Sequence, residues 1–198
     1  MSSANQIQII NMALQHLGVG VGIASIDERS ASARSAKLFY PTALDHALRS
    51  YRWPFADKFA ALELVAEDPV EEWGFSYEYP NDCVYAHRIQ SGTPIDTPET
   101  EIKFKVVGKR IYTNQEDAIL EYTSTQDDTH LFPADFTMAL SYLLASLMAP
   151  AISEGDPFKL GERNQRLYIQ ALRMASANSH NEERKGPDAE SSLAASRR

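Results

Sequence analysis

The stretch RSYRWPFADKFAAL, residues 49–62, decides the fold, because it joins two kinds of sequence at one proline. Good helix formers run up to it, and an alternating, strand-like pattern follows it. Pro54 disfavours helical geometry at Trp53, so the chain must leave the helix there. The large flat side chains of Trp53 and Phe55 are then expected to wedge between a helical layer and a sheet that begins near Lys58. Trp53, Pro54 and Phe55 thus read as a structural corner and not as a reactive device.

Working back from the corner, Ser25 and Glu28 have capping-box spacing and predict a second helix from about Asp27 to about Arg52. At helical periodicity Ala33, Ala36, Tyr40, Ala43, Leu44, Ala47, Leu48 and Tyr51 form one apolar stripe, with Pro41 expected to kink the helix without ending it. The opposite face carries Arg34, Asp45, Arg49 and Arg52 with Leu38 among them. Arg34, Leu38, Arg49 and Arg52 are therefore the candidate contact with another chain. Before this, residues 5–17 predict a first helix, with Ile7, Ile10, Leu14 and Leu17 at helical spacing and Gly18 as its stop. The glycines of 18–22 follow a helix, and no Lys-Ser/Thr comes after them, so they read as a link and not a phosphate loop.

Working forward, residues 58–125 are β territory. Residues 84–89, 102–107, 110–113 and 118–123 read as strands, with a hairpin turn at Gly108-Lys109. Ile102, Phe104 and Val106 are placed on one face, Lys103 and Lys105 on the other. The acidic 67–75 and the Pro/Thr-rich 91–100 read as loops. Helical sequence returns at 133–152, where Pro133 suits a first turn and the pattern is apolar on nearly every side, as a bundle's central helix requires. That segment falls short of the ~20 residues a membrane span needs and has no basic flanks. Asp156-Pro157 opens a last helix to about Asn181, with Leu160, Leu167, Tyr168, Ala171, Met174 and Ala175 facing inward.

The expected fold class is α+β. A bundle of about four helices, residues 1–54 and 126–184, carries a small antiparallel β-sheet insertion at 55–125, and an extended, flexible C-terminal tail covers 185–198. The chain has 198 residues, 43% apolar and 23% charged, which suffices for a packed core. Its one cysteine, Cys83, excludes an internal disulfide framework, and the N-terminal residues do not read as a signal peptide. Net charge is −8, and residues 55–101 concentrate it: eleven acids stand there against two bases. Such a surface repels nucleic-acid phosphate, so specific DNA binding is not expected.

Reactive groups are scattered. The histidines at 16, 46, 87, 130 and 180 include no pair at zinc-protease spacing. Cys83 and His87 lie about 13 Å apart if both sit on one strand, too far for a thiolate–imidazole pair. Asp127, Asp128 and His130 read as a polar loop ahead of a helix. The basic run 103–112 reads as a guarded edge strand. No cofactor, metal or catalytic residue is expected.

The order and spacing of these segments resemble podovirus-type tail tubular protein A, the head-to-tail adaptor (connector) family of tailed bacteriophages. The likeness runs through LGVGVGIASID (17–27), SAKLFYPTALDHALRSYRWPFA (35–56), SYEYPNDCVYAHRI (76–89), YTNQEDAILEYT (112–123) and FPADFTMALSYLLASLMA (132–149). Its most specific piece is Arg49 with Trp53-Pro54-Phe55-Ala56. The resemblance implies a homo-oligomeric ring, typically of about twelve subunits, in the tail or neck of a virion after assembly in the host cytoplasm. Such a ring binds portal protein on one side and the tail nozzle protein on the other, and DNA passes through it without specific binding. It further implies that the tail, with Arg184, Lys185, Leu193, Arg197 and Arg198, engages portal. Glu67, Asp68, Glu71 and Glu72 are the candidate channel-facing or nozzle-end acids. Two other readings are a tail-associated cell-wall hydrolase, which needs a paired Glu and Asp or a zinc site, and a small host-factor-binding regulatory protein acting through the acidic segment.

Overall fold

The computed structural model describes residues 5–65, 72–90, 101–153 and 155–182. Four α-helices and six strands lie among them, an α+β fold: α1 (Gln6–His16), α2 (Ala31–Arg49), β1 (Asp57–Ala61), β2 (Phe75–Glu78), β3 (Cys83–Ile89), β4 (Phe104–Val107), β5 (Arg110–Thr113), β6 (Ile119–Ser124), α3 (Ala134–Ile152) and α4 (Pro157–Glu182). The residues expected in the tail lie outside the described segments.

Helix α3 is the centre of the bundle, and α1, α2 and α4 all pack on it. By length and composition it could cross a membrane; here Phe136, Leu140, Leu143, Leu144 and Met148 are buried against the other helices. Each such side chain withdrawn from water contributes about 1.5–3 kcal/mol. The ends of the outer helices are held by local chemistry. Asn5 and Gln8 form a reciprocal capping box at α1, and the Asp156 carboxylate accepts from the Lys159 N–H at 3.1 Å to open α4.

The stripe expected on α2 is buried from Ala33 to Leu48, and the helix runs unbroken through Pro41. Its start differs from expectation. The Glu28 carboxylate does reach back to the Ser25 N–H at 2.9 Å, but the Ser25 hydroxyl accepts from Asp27, which closes a turn and not a helix. Ser30 caps the helix instead, accepting from the Ala33 N–H at 3.1 Å. Met174, expected to face inward on α4, is exposed, while the neighbouring Ala175 and Tyr168 are buried.

The β region makes two sheets and not one: β1-β6-β3 and β2-β5-β4, each antiparallel and three-stranded. They share a small core of Tyr77, Ile89, Ile111, Ala118, Leu120 and Tyr122. Strand periodicity marks the strands but not their partners. β6 pairs with β1 and β3, whereas the hairpin β4–β5 turns at Gly108-Lys109 and pairs with β2. Gly108 takes φ of 60°, as that two-residue turn requires. β2 begins inside the segment expected to be an acidic loop. Its alternation is short, and its pairing with β5 and the Leu64–Tyr77 bridge supply what the local sequence does not. Lys103 and Lys105 are exposed at edge strand β4, but Val106, expected inward, is exposed as well.

Candidate functional site

The chain leaves the bundle through residues 50–57 and returns through 121–133, so both crossings of the β region meet at one neck. On its apolar side Trp53, at 1% exposure, lies within the bundle core. Its ring meets Phe136 edge-on at 5.0 Å and Tyr51 at 5.1 Å, and Phe55 continues the cluster to Phe132 and Phe136. The indole N–H donates to the Ala47 carbonyl at 2.9 Å, bonding the corner back to the last turn of α2. Pro54–Ala56 form a single 3-10 turn behind it. The sheets reach this cluster through Val84, on β3. Trp53 therefore sits on the helical side of the corner, deeper in the bundle than the expected wedge between layers.

The other side of the neck is ionic. Glu121, in the middle of β6, is 0% exposed and is paired by the guanidiniums of both Arg52 and Arg88. The Arg52 Nε also donates to Asp57 Oδ2 at 2.6 Å, closing an ion pair across the Trp53–Ala56 corner. His87 Nε2 lies 2.8 Å from the Thr123 hydroxyl and 3.8 Å from Asp57 Oδ1. Two register shifts in β3, at Val84 and at His87, explain how one strand serves both sides. A bulge re-aims the side chains around it. Here one coincides with Val84 entering the bundle core and the other with His87 and Arg88 meeting the β1–β6 acids. The return path is stitched by the Ser124 hydroxyl donating to the Ala56 carbonyl at 3.0 Å and the Thr125 N–H donating to the Asp82 carbonyl at 2.7 Å.

The electrostatics follow from this packing. Burial lowers the His87 pKa below its ordinary 6.5; Asp57 pulls it up and Arg52 pushes it down again. Burial opposes charge on Asp82, but hydrogen bonds from Lys58 and Tyr122 outweigh it and hold that carboxyl below its usual range. Burial and the same bond push the Tyr122 phenol up to about 12. Burial also raises the Cys83 thiol above its ordinary value, and its side-chain hydrogen bond is to Tyr79 and not to His87.

Thr123, His87 and Asp57 have the residue types of a nucleophile, base and acid, yet their geometry cannot relay a proton. Hydroxyl and carboxylate face the same imidazole nitrogen, whereas a relay uses one on each side of the ring. Thr123 is also fully buried, beyond the reach of a substrate. Among the described residues no group of three or more His, Cys, Asp or Glu is placed to hold a metal ion. Asp128 caps the 3-10 turn of Thr129–Leu131, accepting from the His130 N–H at 3.0 Å.

On the outer face of α2, Arg34 is exposed, Leu38 is 68% exposed, and Arg49 pairs with Asp45 at 3.0 Å. Arg52 does not belong to that face. The helix ends at Arg49, and Arg52, beyond it, turns inward to Asp57 and Glu121. The acidic segment is likewise less free than its composition suggests, since Asp57 and Asp82 are tied to Arg52 and Lys58. Glu72 is exposed. Glu67, Asp68 and Glu71, and Arg184, Lys185, Leu193, Arg197 and Arg198 in the tail, lie outside the described residues. The buried Glu121 with Arg88 and His87 is what sequence reasoning passed over. Its signal was an acidic residue in the centre of an apolar strand, AILEYT (118–123). No protein-family model matches the chain, and no curated protein matches it.

Proposed function

We propose that this protein is a non-enzymatic structural component of a virion: a head-to-tail adaptor whose copies close into a ring, joining portal to tail nozzle and enclosing the channel for genome passage. The observation that carries the reading is the neck. A buried aromatic corner on one side and a buried carboxylate clamped by two arginines on the other fix a two-sheet module to a helical bundle. That is the construction of a spacer, which holds two modules at a defined angle. A ring closes through heterologous contacts, which the exposed Arg34, Leu38 and Arg49 face of α2 would supply. Exposed acids such as Glu72 would repel the phosphates of passing DNA and keep it from sticking.

Electron microscopy of the purified protein, alone and mixed with purified portal, tests this. The expected result is a closed ring seated coaxially on the portal. A protein that remains monomeric or dimeric in the presence of portal overturns the reading.

A further inference from the structure

Two buried carboxylate oxygens of the neck have no hydrogen-bond partner: Glu121 Oε1, which meets the Arg52 guanidinium only as an ion pair, and Asp57 Oδ1, which no guanidinium meets. Asp57 Oδ1 is buried with no hydrogen-bond partner, 3.8 Å from His87 Nε2, while the same carboxylate's other oxygen holds Arg52 at 2.6 Å. We propose that the neck is a proton-operated clamp, in which a proton on His87 draws Asp57 away from Arg52 and loosens the corner that fixes the sheets to the bundle.

The charges around the imidazole make the step specific. β1 presents Asp57; β6 presents Glu121 and the Thr123 hydroxyl; β3 presents Arg88 and the Tyr85 ring at 5.2 Å; the segment after α2 presents Arg52. The charges that act on the imidazole are Asp57 and Arg52, and while the ring is neutral Thr123 satisfies Nε2. A proton taken from solvent adds a positive charge to the ring and obliges Nε2 to donate. The unused carboxylate oxygen is then the strongest acceptor in reach. Closing that gap turns the Asp57 carboxylate and weakens its bond to Arg52, whose remaining partner is Glu121 on the return strand. The ion pair bridging Trp53–Ala56 is thereby lost while the Arg52–Glu121 and Arg88–Glu121 pairs stay, so the change is local to the corner. Histidine suits such a device because its ordinary titration range borders neutrality, and burial moves His87 to the acid side of that range.

Hydrogen-exchange mass spectrometry of the full chain, corrected for intrinsic rates, at about pH 7.5 and about pH 5.5 tests the clamp. In the wild type, protection of peptides covering 52–57 and 121–126 should fall about tenfold at the lower pH while α3 keeps its protection. His87→Gln, which offers Thr123 an amide but takes no proton, should abolish that fall. Asp57→Asn should show weakened neck protection at both pH values and no pH dependence. Neck protection that is the same at both pH values in the wild type overturns the proposal. So does a fall that persists in either variant, or one that α3 shares. If His87→Gln does not fold, the Asp57→Asn result decides.

Discussion

Trp53 and Glu121 stand on opposite sides of one neck and are almost equally hidden, at 1% and 0% exposure, yet they hold it by different means. Around Trp53 the contacts are ring against ring, with one hydrogen bond to Ala47. Their strength comes from apolar area removed from water, which salt does not screen and which carries no titrating group. Around Glu121 the contacts are charge against charge. Their strength depends on complete pairing, because a buried carboxylate stripped of its partners costs more than the pair returns. The aromatic side supplies stability, and the ionic side supplies a defined angle that chemistry can alter. Trp53→Ala tests the first half and carries the largest expected effect, a loss of about 3–5 kcal/mol in a denaturant melt. A loss below about 1 kcal/mol would show that the bundle refills the space and that the corner is not held by its indole.

Glu121→Gln should cost less, about 2–3 kcal/mol. A fully enclosed pair would lose more, but the Arg52 and Arg88 side chains are each 41% exposed and can recover water when their partner is gone. The cost should shrink as salt rises, since the lost pairing is partly screened, whereas the Trp53→Ala cost should not. Equal salt responses in the two melts would erase the distinction between the two sides.

The same contrast explains what the sequence made legible. The α2 stripe and the corner could be read because helical periodicity and a proline act locally: Ala33 to Leu48 repeat at the right spacing, and Pro54 constrains its own neighbour. The ionic side depends on residues that meet only after folding. Arg52 looked like an outward helix residue because nothing nearby says that Glu121 will arrive beside it. Register shifts in β3 then place His87 and Arg88 against β1 and β6, and no alternating pattern encodes a bulge. The division into two sheets stayed hidden for a related reason. Strand character is written in each segment, but the choice of β5 by β2 is written in packing between distant residues such as Tyr77 and Ile111.

His16 gives the bundle its own titratable group and allows a finer comparison with the neck. It stacks on Tyr142 at 4.2 Å and meets the Ser141 hydroxyl at 3.1 Å. Burial, followed by the Arg163 charge, lowers its pKa from 6.5. The folded chain therefore binds fewer protons than the unfolded one between that lowered value and 6.5. The stability due to the neutral ring is fully present above 6.5 and is lost as pH falls through the unfolded value toward the folded one. His16→Gln should flatten the slope of unfolding free energy against pH in that window, by less than either substitution above, without touching the neck's exchange behaviour. A neck transition that vanishes with His16 would mean the two regions titrate as one.

Leu38, on the outer face of α2, should matter least to stability. At 68% exposure it leaves little apolar area to lose, and glutamate is a comparable helix former, so Leu38→Glu should change the melting free energy by no more than about 0.5 kcal/mol. If the outer face of α2 is a ring contact, the same change puts a charge into an interface whose rim already holds Asp45. Ring formation with portal, followed by sedimentation, should then fall sharply while the monomer's melt is unaltered. Intact rings from Leu38→Glu would move the lateral contact off α2 without disturbing the account of the neck, because the two surfaces share no residue once Arg52 is assigned to the clamp.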